Sequence, residues 1–317
     1  MNAAALTLTD PFARRLWAYL LERFHPISNM LLIVSYYSSN QFLAQLLTHP
    51  GQPVSYSIRS LAGAVTVLCM FFHLRVFDEH KDFEDDGRHF PDRVLQRGLI
   101  TLRDLKFLGA AALSVEVILG ALLGPAALTA VLIAIGFSVL MLKEFFCGSW
   151  LKRHFLLYAT SHMLIMPLFA LVVFSATTGR YPWQAPFWFF FYAFVGFFVT
   201  FNWEVSRKIR APEDEIPGVD SYTRIFGTYG AAYAVLLIRL VDTAMVALVG
   251  SVLGAASWFF AALIALFAVC LVGFFDYRFR TNSRTAKRME VYAGMYIVAF
   301  DLILAVEILR IQGARWL

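Results

Sequence analysis

Residues 57–100 read SIRSLAGAVTVLCMFFHLRVFDEHKDFEDDGRHFPDRVLQRGLI. The first twenty are predominantly apolar, enough for a helix to cross a bilayer at ~20 residues. They run directly into Phe77–Ile100, a dense island of acid and base. A membrane helix that empties into such an island makes the rest of the chain read as scaffolding. It carries this stretch, and a second polar stretch at Glu204–Glu215, to one edge of a membrane.

Composition agrees. Of 317 residues 59% are hydrophobic and only 15% charged, and mean hydropathy is +0.64. A soluble domain carries roughly 25% charged residues. The fold class expected is all-α: a polytopic membrane protein with nine transmembrane helices in one bundle. Residues 1–24 read as an N-terminal interfacial segment and 25–317 as a single domain. Loops 77–104 and 202–228 carry the polar islands. Cys69, Cys147 and Cys270 lie far apart without CxxC or Cys/His spacing, so they read as small packing residues rather than a zinc or disulfide framework.

In chain order, residues 1–10 are polar and read as loosely held. Pro11–Phe24 spaces Trp, Tyr and Leu with Arg14, Arg15 and Arg23 as an interfacial helix does. Spans are expected at 27–48, 57–76, 105–123, 126–142, 155–176, 183–201, 229–253, 258–275 and 291–308, with a turn at Gly124-Pro125. Placing the N-terminus in the cytoplasm puts twenty-one of the 27 Lys and Arg on inner segments. Only Arg59, Arg180, Arg310 and Arg315 are then left outside, the asymmetry that positive-inside retention produces. Both islands then face the cytoplasm, in an integral protein of the bacterial inner membrane type.

Asp78, Glu79, Asp82, Glu84, Asp85 and Asp86 put six carboxylates within nine residues. If the helix continues, Asp78, Asp82 and Asp86 recur at one-turn intervals along one face. Like charges so placed repel unless a cation fills the gap. Hard oxygen ligands favour Mg²⁺, which takes one or two carboxylates together with phosphate oxygens. Arg88, Arg93 and Arg97 follow, and guanidinium forks match phosphate oxygens. The combination points to a diphosphate site. The plain alternative is a solvated loop whose charges only set topology.

The stretch Asp78–Asp86 resembles the NDxxDxxxD signature of the UbiA-type intramembrane prenyltransferase superfamily, with Asp78 where Asn is usual. Arg93–Ile100 is similar to the RPxPxGxxS segment of that family without its prolines. The resemblance implies a nine-helix fold and a second acidic pair after the sixth span. Gly218-Val219-Asp220-Ser221 and Phe226-Gly227 resemble the tail of that second motif. In an ungapped register Asp214 takes its second acidic position and Arg210 replaces its first. With an insertion, Glu204 stands for the first. Lys143 resembles a basic residue near the diphosphate, and a snorkelling interfacial lysine explains it equally.

The resemblance implies an Mg²⁺-dependent transferase acting on a prenyl diphosphate or related diphosphate donor and a lipophilic or aromatic acceptor, in contact with membrane lipid. The metal set is Asp78, Glu79, Asp82 and Asp86, with Glu204 and Asp214. Asp78, Asp82, Asp86, Lys143 and Lys208 form the expected catalytic set, and Arg93, Arg97, Arg207 and Arg210 bind the donor. Two other readings stand beside this one. A UbiA-like terpene cyclase, or a phosphoribosyl or sugar-diphosphate transferase acting on a polyprenyl phosphate, is the first. A transporter or lipid-binding protein is the second. Transport predicts broken helices at mid-membrane, and Pro167 is the only obvious breaker deep in a span. No GxGxxG or P-loop occurs, and topology accounts for the +5 charge without nucleic acid.

Within spans, Glu116, His162, Arg239, Asp242, Asp301 and Glu307 need polar partners in lipid. Arg239 and Asp242, three apart on one face, suggest an internal ion pair. Asp301 and His162 read as packing or interhelical hydrogen-bonding groups ahead of an acceptor pocket.

Overall fold

The computed structural model describes residues 6–316. Its helices are α1 (Phe12–Arg23), α2 (Pro26–Thr48), α3 (Ile58–His89), α4 (Leu102–Leu123), α5 (Pro125–Leu142), α6 (Gly148–Lys152), α7 (Phe155–Met163) and α8 (Ile165–Thr178). They continue as α9 (Phe187–Arg207), α10 (Tyr222–Val252), α11 (Ser257–Phe279) and α12 (Ser283–Gln312). Strands β1 (Val54–Tyr56) and β2 (Ala314–Trp316) pair in parallel at the end of the bundle opposite the polar islands.

Among the described residues, eight segments are long and apolar enough to cross a membrane, α7 and α8 counting together as Phe155–Thr178. The eight start with α3. At 23 residues α2 has the length for a crossing, but its middle, Ser35–Gln41, is SYYSSNQ. Several of its polar side chains find partners inside the protein. Gln41 Nε2 donates to Ser55 O (2.8 Å) and Ser60 Oγ (2.9 Å), and the Ser38 and Tyr56 hydroxyls lie 2.5 Å apart. These bonds, and the Tyr56 ring stacked on Trp316 at 5.3 Å, tie α2 to the β1–β2 pair.

Two of the helices begin at side-chain caps that position the polar loops. Asp104 N donates to Thr101 Oγ1 (3.1 Å) while Thr101 N donates to Asp104 Oδ2 (2.9 Å), closing a capping box at α4. Ser221 caps α10 through Arg224 N at 3.0 Å. The Gly-Pro turn between α4 and α5 is as expected, with Pro125 in the first turn of α5. The fifth expected span is interrupted. Pro167 lacks an N–H and its ring crowds the carbonyl four residues back, and the helix breaks at Leu164. Within α10 the helix kinks at Gly227, whose φ is +70°.

The core holds α2, α8, α9 and α12, with Phe169, Phe174, Phe189 and Phe300 fully buried. In lipid, packing rather than the hydrophobic effect drives such contacts. Apolar side chains such as Ile118, Leu132, Leu237 and Ile264 point outward from α4, α5, α10 and α11, as lipid-facing groups do.

Most of the intramembrane ionisable groups find partners. His73 Nδ1 lies 2.7 Å from Glu116 Oε1, and its Nε2 lies 3.0 Å from Ser138 Oγ. Asp301 accepts from Tyr192 at 2.7 Å and from Ser39. Glu307 pairs with Arg310 at 2.8 Å and accepts from Ala256 N at 2.7 Å. The ion pair expected between Arg239 and Asp242 does not form. Arg239 instead donates to Asn202 Oδ1, with its guanidinium carbon 3.9 Å from the Tyr296 ring centre.

Residues 1–5 of the stretch expected to be loose lie outside the described residues. The remainder is anchored: Leu6 is buried and Arg97 Nη2 donates to its carbonyl at 2.9 Å. Helix α1 follows, burying Tyr19 against Val94, Leu95 and Ile100 beyond the end of α3.

Candidate functional site

Helix α3 spans 32 residues, about 48 Å at 1.5 Å per residue, against a hydrocarbon layer of about 30 Å. Its last turns must therefore project beyond the apolar layer. The expected loop 77–104 is thus helical as far as His89, and Asp78, Asp82 and Asp86 do recur turn by turn.

These carboxylates divide into two groups. Glu79, 1% exposed, accepts from Arg23 Nε at 2.6 Å and from Tyr19 Oη at 3.4 Å, and lies 3.2 Å from Arg75 Nε. Asp86 pairs with Arg93 and, at 3.3 Å, with Arg23. Burial works to lower the Arg23 pKa, yet its hydrogen bond with Glu79 and the charges of Glu79 and Asp86 hold it above its ordinary value. Burial, and then the neighbouring Arg23 charge, pulls Arg93 below its ordinary value. Glu79 and Asp86 thereby fasten α1 and the loop after α3 to the end of that helix.

Asp78 and Asp82 face the other way. Lys81 Nζ lies 3.4 Å from Asp78 Oδ1, and Asp78 opens onto a small cavity between α3 and α5 with Leu74, Ser138 and Met141. Half-buried Asp82 shares the electrostatic field of Lys81, Asp78 and Asp86. Asp78 is also close enough to Arg207, across on α9, for their charges to interact.

The second island starts on the last turn of α9. Glu204, buried, accepts from Arg207 Nε at 2.5 Å and pairs with Lys208 Nζ at 2.7 Å. Lys208 Nζ also sits 5.0 Å from the Phe155 ring centre and Arg207 Cζ 5.2 Å from that of Trp203. Beyond Lys208 the chain is pinned by its backbone: Tyr277 Oη donates to Arg210 O at 3.0 Å, and Arg210 N donates to Thr223 Oγ1 at 3.3 Å. Asp214 is exposed and is held through its backbone, its carbonyl accepting from Arg210 Nη1 at 3.3 Å and its N–H donating to Ala211 O at 2.9 Å. Glu215 accepts from Ser221 Oγ (2.7 Å) and Thr223 Oγ1 (2.5 Å). The two islands meet at Gly218, with φ +82°, where an added Cβ would lie 3.4 Å from His89 Nε2.

Of the residues singled out from sequence, Asp78 and Arg207 interact by charge across the ends of α3 and α9, with Asp82 one turn from Asp78 on α3 and with Lys208 and Glu204 joined to Arg207 on the last turn of α9. Glu79, Asp86 and Arg97 engage the N-terminal segment, and Arg93 pairs with Asp86 beside it. Lys143, exposed, terminates α5, and Arg210 and Asp214 lie on the loop after α9. Among the described residues no three His, Cys, Asp or Glu side chains converge to cage a metal on their own. A cation such as Mg²⁺ requires less, one or two carboxylates with phosphate oxygens and water, and adjacent Asp78 and Asp82 fit that requirement.

Sequence reasoning missed Lys81, Arg75 and Tyr158 and gave Arg23 only an interfacial role. In the sequence Lys81 is one of the twenty-one inner-segment charges, and its i,i+3 spacing from Asp78 is the signal that marks it.

The model of the UbiA prenyltransferase family matches residues 42–299, well over half of the chain. No curated protein matches it. Among solved structures, an apo UbiA homologue from Aeropyrum pernix K1 superposes with a TM-score of 0.66 at 13% identity, covering 89% of this chain and 97% of that one. A digeranylgeranylglyceryl phosphate synthase does so with 0.61 at 16% identity, covering 94% and 99%. A UbiA homologue from Archaeoglobus fulgidus bound to GPP and Mg²⁺ gives 0.53 at 14% identity, covering 90% and 99%. At these identities the likeness is one of fold.

Proposed function

The chain belongs to the UbiA prenyltransferase family, and from that membership we propose that it is an Mg²⁺-dependent intramembrane transferase moving an isoprenoid chain from a prenyl diphosphate to a lipophilic or aromatic acceptor. The observation that carries this reading is that Asp78 on α3, with Asp82 one turn along, lies within charge-interaction range of Arg207 on α9, which shares Glu204 with Lys208, at one end of an apolar bundle. Carboxylates suited to a hard cation thus stand opposite bases suited to phosphate oxygens. Relatives of this fold have been solved with GPP and with DMAPP, each with Mg²⁺.

In this reading Asp78 and Asp82 would hold the metal, which when bound would supply positive charge to offset that building on the departing diphosphate. Arg207 and Lys208 grip the same group, and Glu204 between them fixes their spacing. Because that grip strengthens as the allylic C–O bond ionises, it favours the transition state over the ground state. The prenyl chain lies between helices, where side chains from the Phe-rich α9 exclude water from the electron-deficient carbon. Glu79 and Asp86 act at one remove, holding α1 and the following loop against α3. The distribution of Lys and Arg supports a cytoplasmic setting for this end of the bundle.

The test is release of pyrophosphate from geranyl diphosphate by the purified protein in lipid nanodiscs supplied with a total lipid extract and Mg²⁺, followed by mass spectrometry of the apolar products. Formation of a prenylated lipid-soluble product, abolished by Asp82→Asn and by EDTA, is expected. Turnover unaffected by either would overturn the proposal.

A further inference from the structure

One cation stands inside the acidic stretch itself. The Lys81 side chain is only 10% exposed, whereas its ion-pair partner Asp78 is 45% exposed and Asp85 and Arg88, a turn or two further along, are 65% and 70% exposed. A lysine near the end of a membrane helix ordinarily snorkels to water. Lys81 instead turns inward, with Nζ 3.4 Å from Asp78 Oδ1 and 5.3 Å from the centre of the Tyr158 ring. That ring is braced from behind by His162, stacked on it at 4.2 Å, with His162 Nδ1 2.8 Å from Tyr158 O. The ammonium therefore sits in a built seat.

The seat lies beside the two carboxylates that the arginines leave available. Glu79 and Asp86 are occupied by Arg23, Arg75 and Arg93, while Asp78 and Asp82 share the field of Lys81. A divalent cation approaching Asp78 alone has to work against the ammonium next to it. A diphosphate approaching alone meets the two carboxylates. When both arrive, every charge has an opposite neighbour, provided the ammonium moves from the carboxylate to a phosphate oxygen. Lysine, a point charge with three donors on a flexible stem, suits such a transfer better than the planar fork of arginine.

We propose that Lys81 is a diphosphate-binding residue held in reserve on Asp78, and that its transfer makes binding of the metal and of the diphosphate interdependent. The inference rests on the diphosphate-transfer reading above and adds the residue that couples the two ligands. Coupling of this kind is reciprocal: whatever factor the metal contributes to diphosphate affinity, the diphosphate contributes to metal affinity.

The experiment is calorimetric titration of the full chain in nanodiscs with Mg²⁺ alone, with geranyl diphosphate alone, and with geranyl diphosphate at saturating Mg²⁺. In the wild type either ligand alone binds at least tenfold more weakly than in the presence of the other. In Lys81→Gln, Mg²⁺ alone binds more tightly than in the wild type, geranyl diphosphate with Mg²⁺ binds at least tenfold more weakly, and the coupling shrinks. Lys81→Arg restores part of it. Opposite movement of the two affinities is the signature, because a merely structural lysine would weaken both as the melting temperature fell. Movement of both in the same direction, or of neither, overturns the assignment of Lys81. Should Lys81→Gln fail to fold, Tyr158→Leu removes the ring under the ammonium and must shift the two affinities in the same opposite senses, or the assignment falls. A wild type that binds no geranyl diphosphate with or without Mg²⁺ overturns the transferase reading itself, which keeps the two failures apart.

Discussion

Arg23, near the N-terminus, reaches Glu79 at the far end of α3 with its Nε 2.6 Å from Oε1, and through Nη2 it also touches Asp86 at 3.3 Å. One guanidinium thus bridges two carboxylates of the acidic stretch and clips α1 to the helix that presents it. Removing one partner of a buried pair leaves the other uncompensated, which usually costs more than the pair contributes. Arg23→Ala is expected to lower stability by about 2–3 kcal/mol, since Arg75 and Tyr19 still reach Glu79. Thermal unfolding reads the loss, and limited proteolysis should cut sooner within residues 6–24. An unchanged midpoint would mean that the bridge is an ornament of the surface.

Between α3, α4 and α5 the buried His73, Glu116 and Ser138 form a polar group inside the bundle, and Ser138 also lines the cavity onto which Asp78 opens. Glu116→Ala strands His73 without its carboxylate and should destabilise by about 3–5 kcal/mol. The double variant Glu116→Leu/His73→Leu should recover much of that loss, because two apolar groups replace two polar ones together. Failure of the double variant to recover would place the role of the pair outside packing.

Glu204 separates two accounts of the second island. Paired with Arg207 at 2.5 Å and Lys208 at 2.7 Å, its carboxylate is already taken up. Glu204→Gln should therefore release the two cations, tighten metal-free binding of geranyl diphosphate several-fold and leave the Mg²⁺ requirement in place. A selective loss of Mg²⁺-dependent binding would instead identify Glu204 as a metal ligand.

Gly218→Ala tests the contact between the islands. The backbone there has φ +82°, and a methyl group would approach His89 Nε2 at 3.4 Å. A left-handed conformation costs a non-glycine residue roughly 1–2 kcal/mol. The expected result is a modest loss of stability together with faster hydrogen exchange over 210–221, measured by mass spectrometry. Exchange unchanged in that segment would show that the loop does not depend on its seat against His89.

Much of this architecture was written in local patterns. Apolar length marks α3, α4, α5, α9, α10, α11 and α12, Gly124-Pro125 marks their tightest turn, and the regular spacing of Asp78, Asp82 and Asp86 needed only the continuation of α3 to become a face. What local pattern does not carry is the choice of partner. Lys81, Arg75 and Arg23 are ordinary topology charges in the sequence, and only tertiary packing assigns them to Asp78, Glu79 and Asp86. The same holds within the bundle, where Arg239 passes over Asp242 on its own helix for Asn202 on α9, since the shape of the neighbouring helix decides what an arginine can reach. The run Glu144–Phe146, three successive residues with φ between +47° and +58°, carries no glycine or asparagine that would announce it.

The most direct measurement is binding of geranyl diphosphate and of phosphoribosyl diphosphate to the purified protein, with and without Mg²⁺, compared between the wild type and Asp82→Ala. The account predicts Mg²⁺-dependent binding of geranyl diphosphate, at least tenfold weaker in a folded Asp82→Ala, and no comparable binding of phosphoribosyl diphosphate. Preference for phosphoribosyl diphosphate, or binding of neither ligand by protein with an intact melting transition, would contradict it.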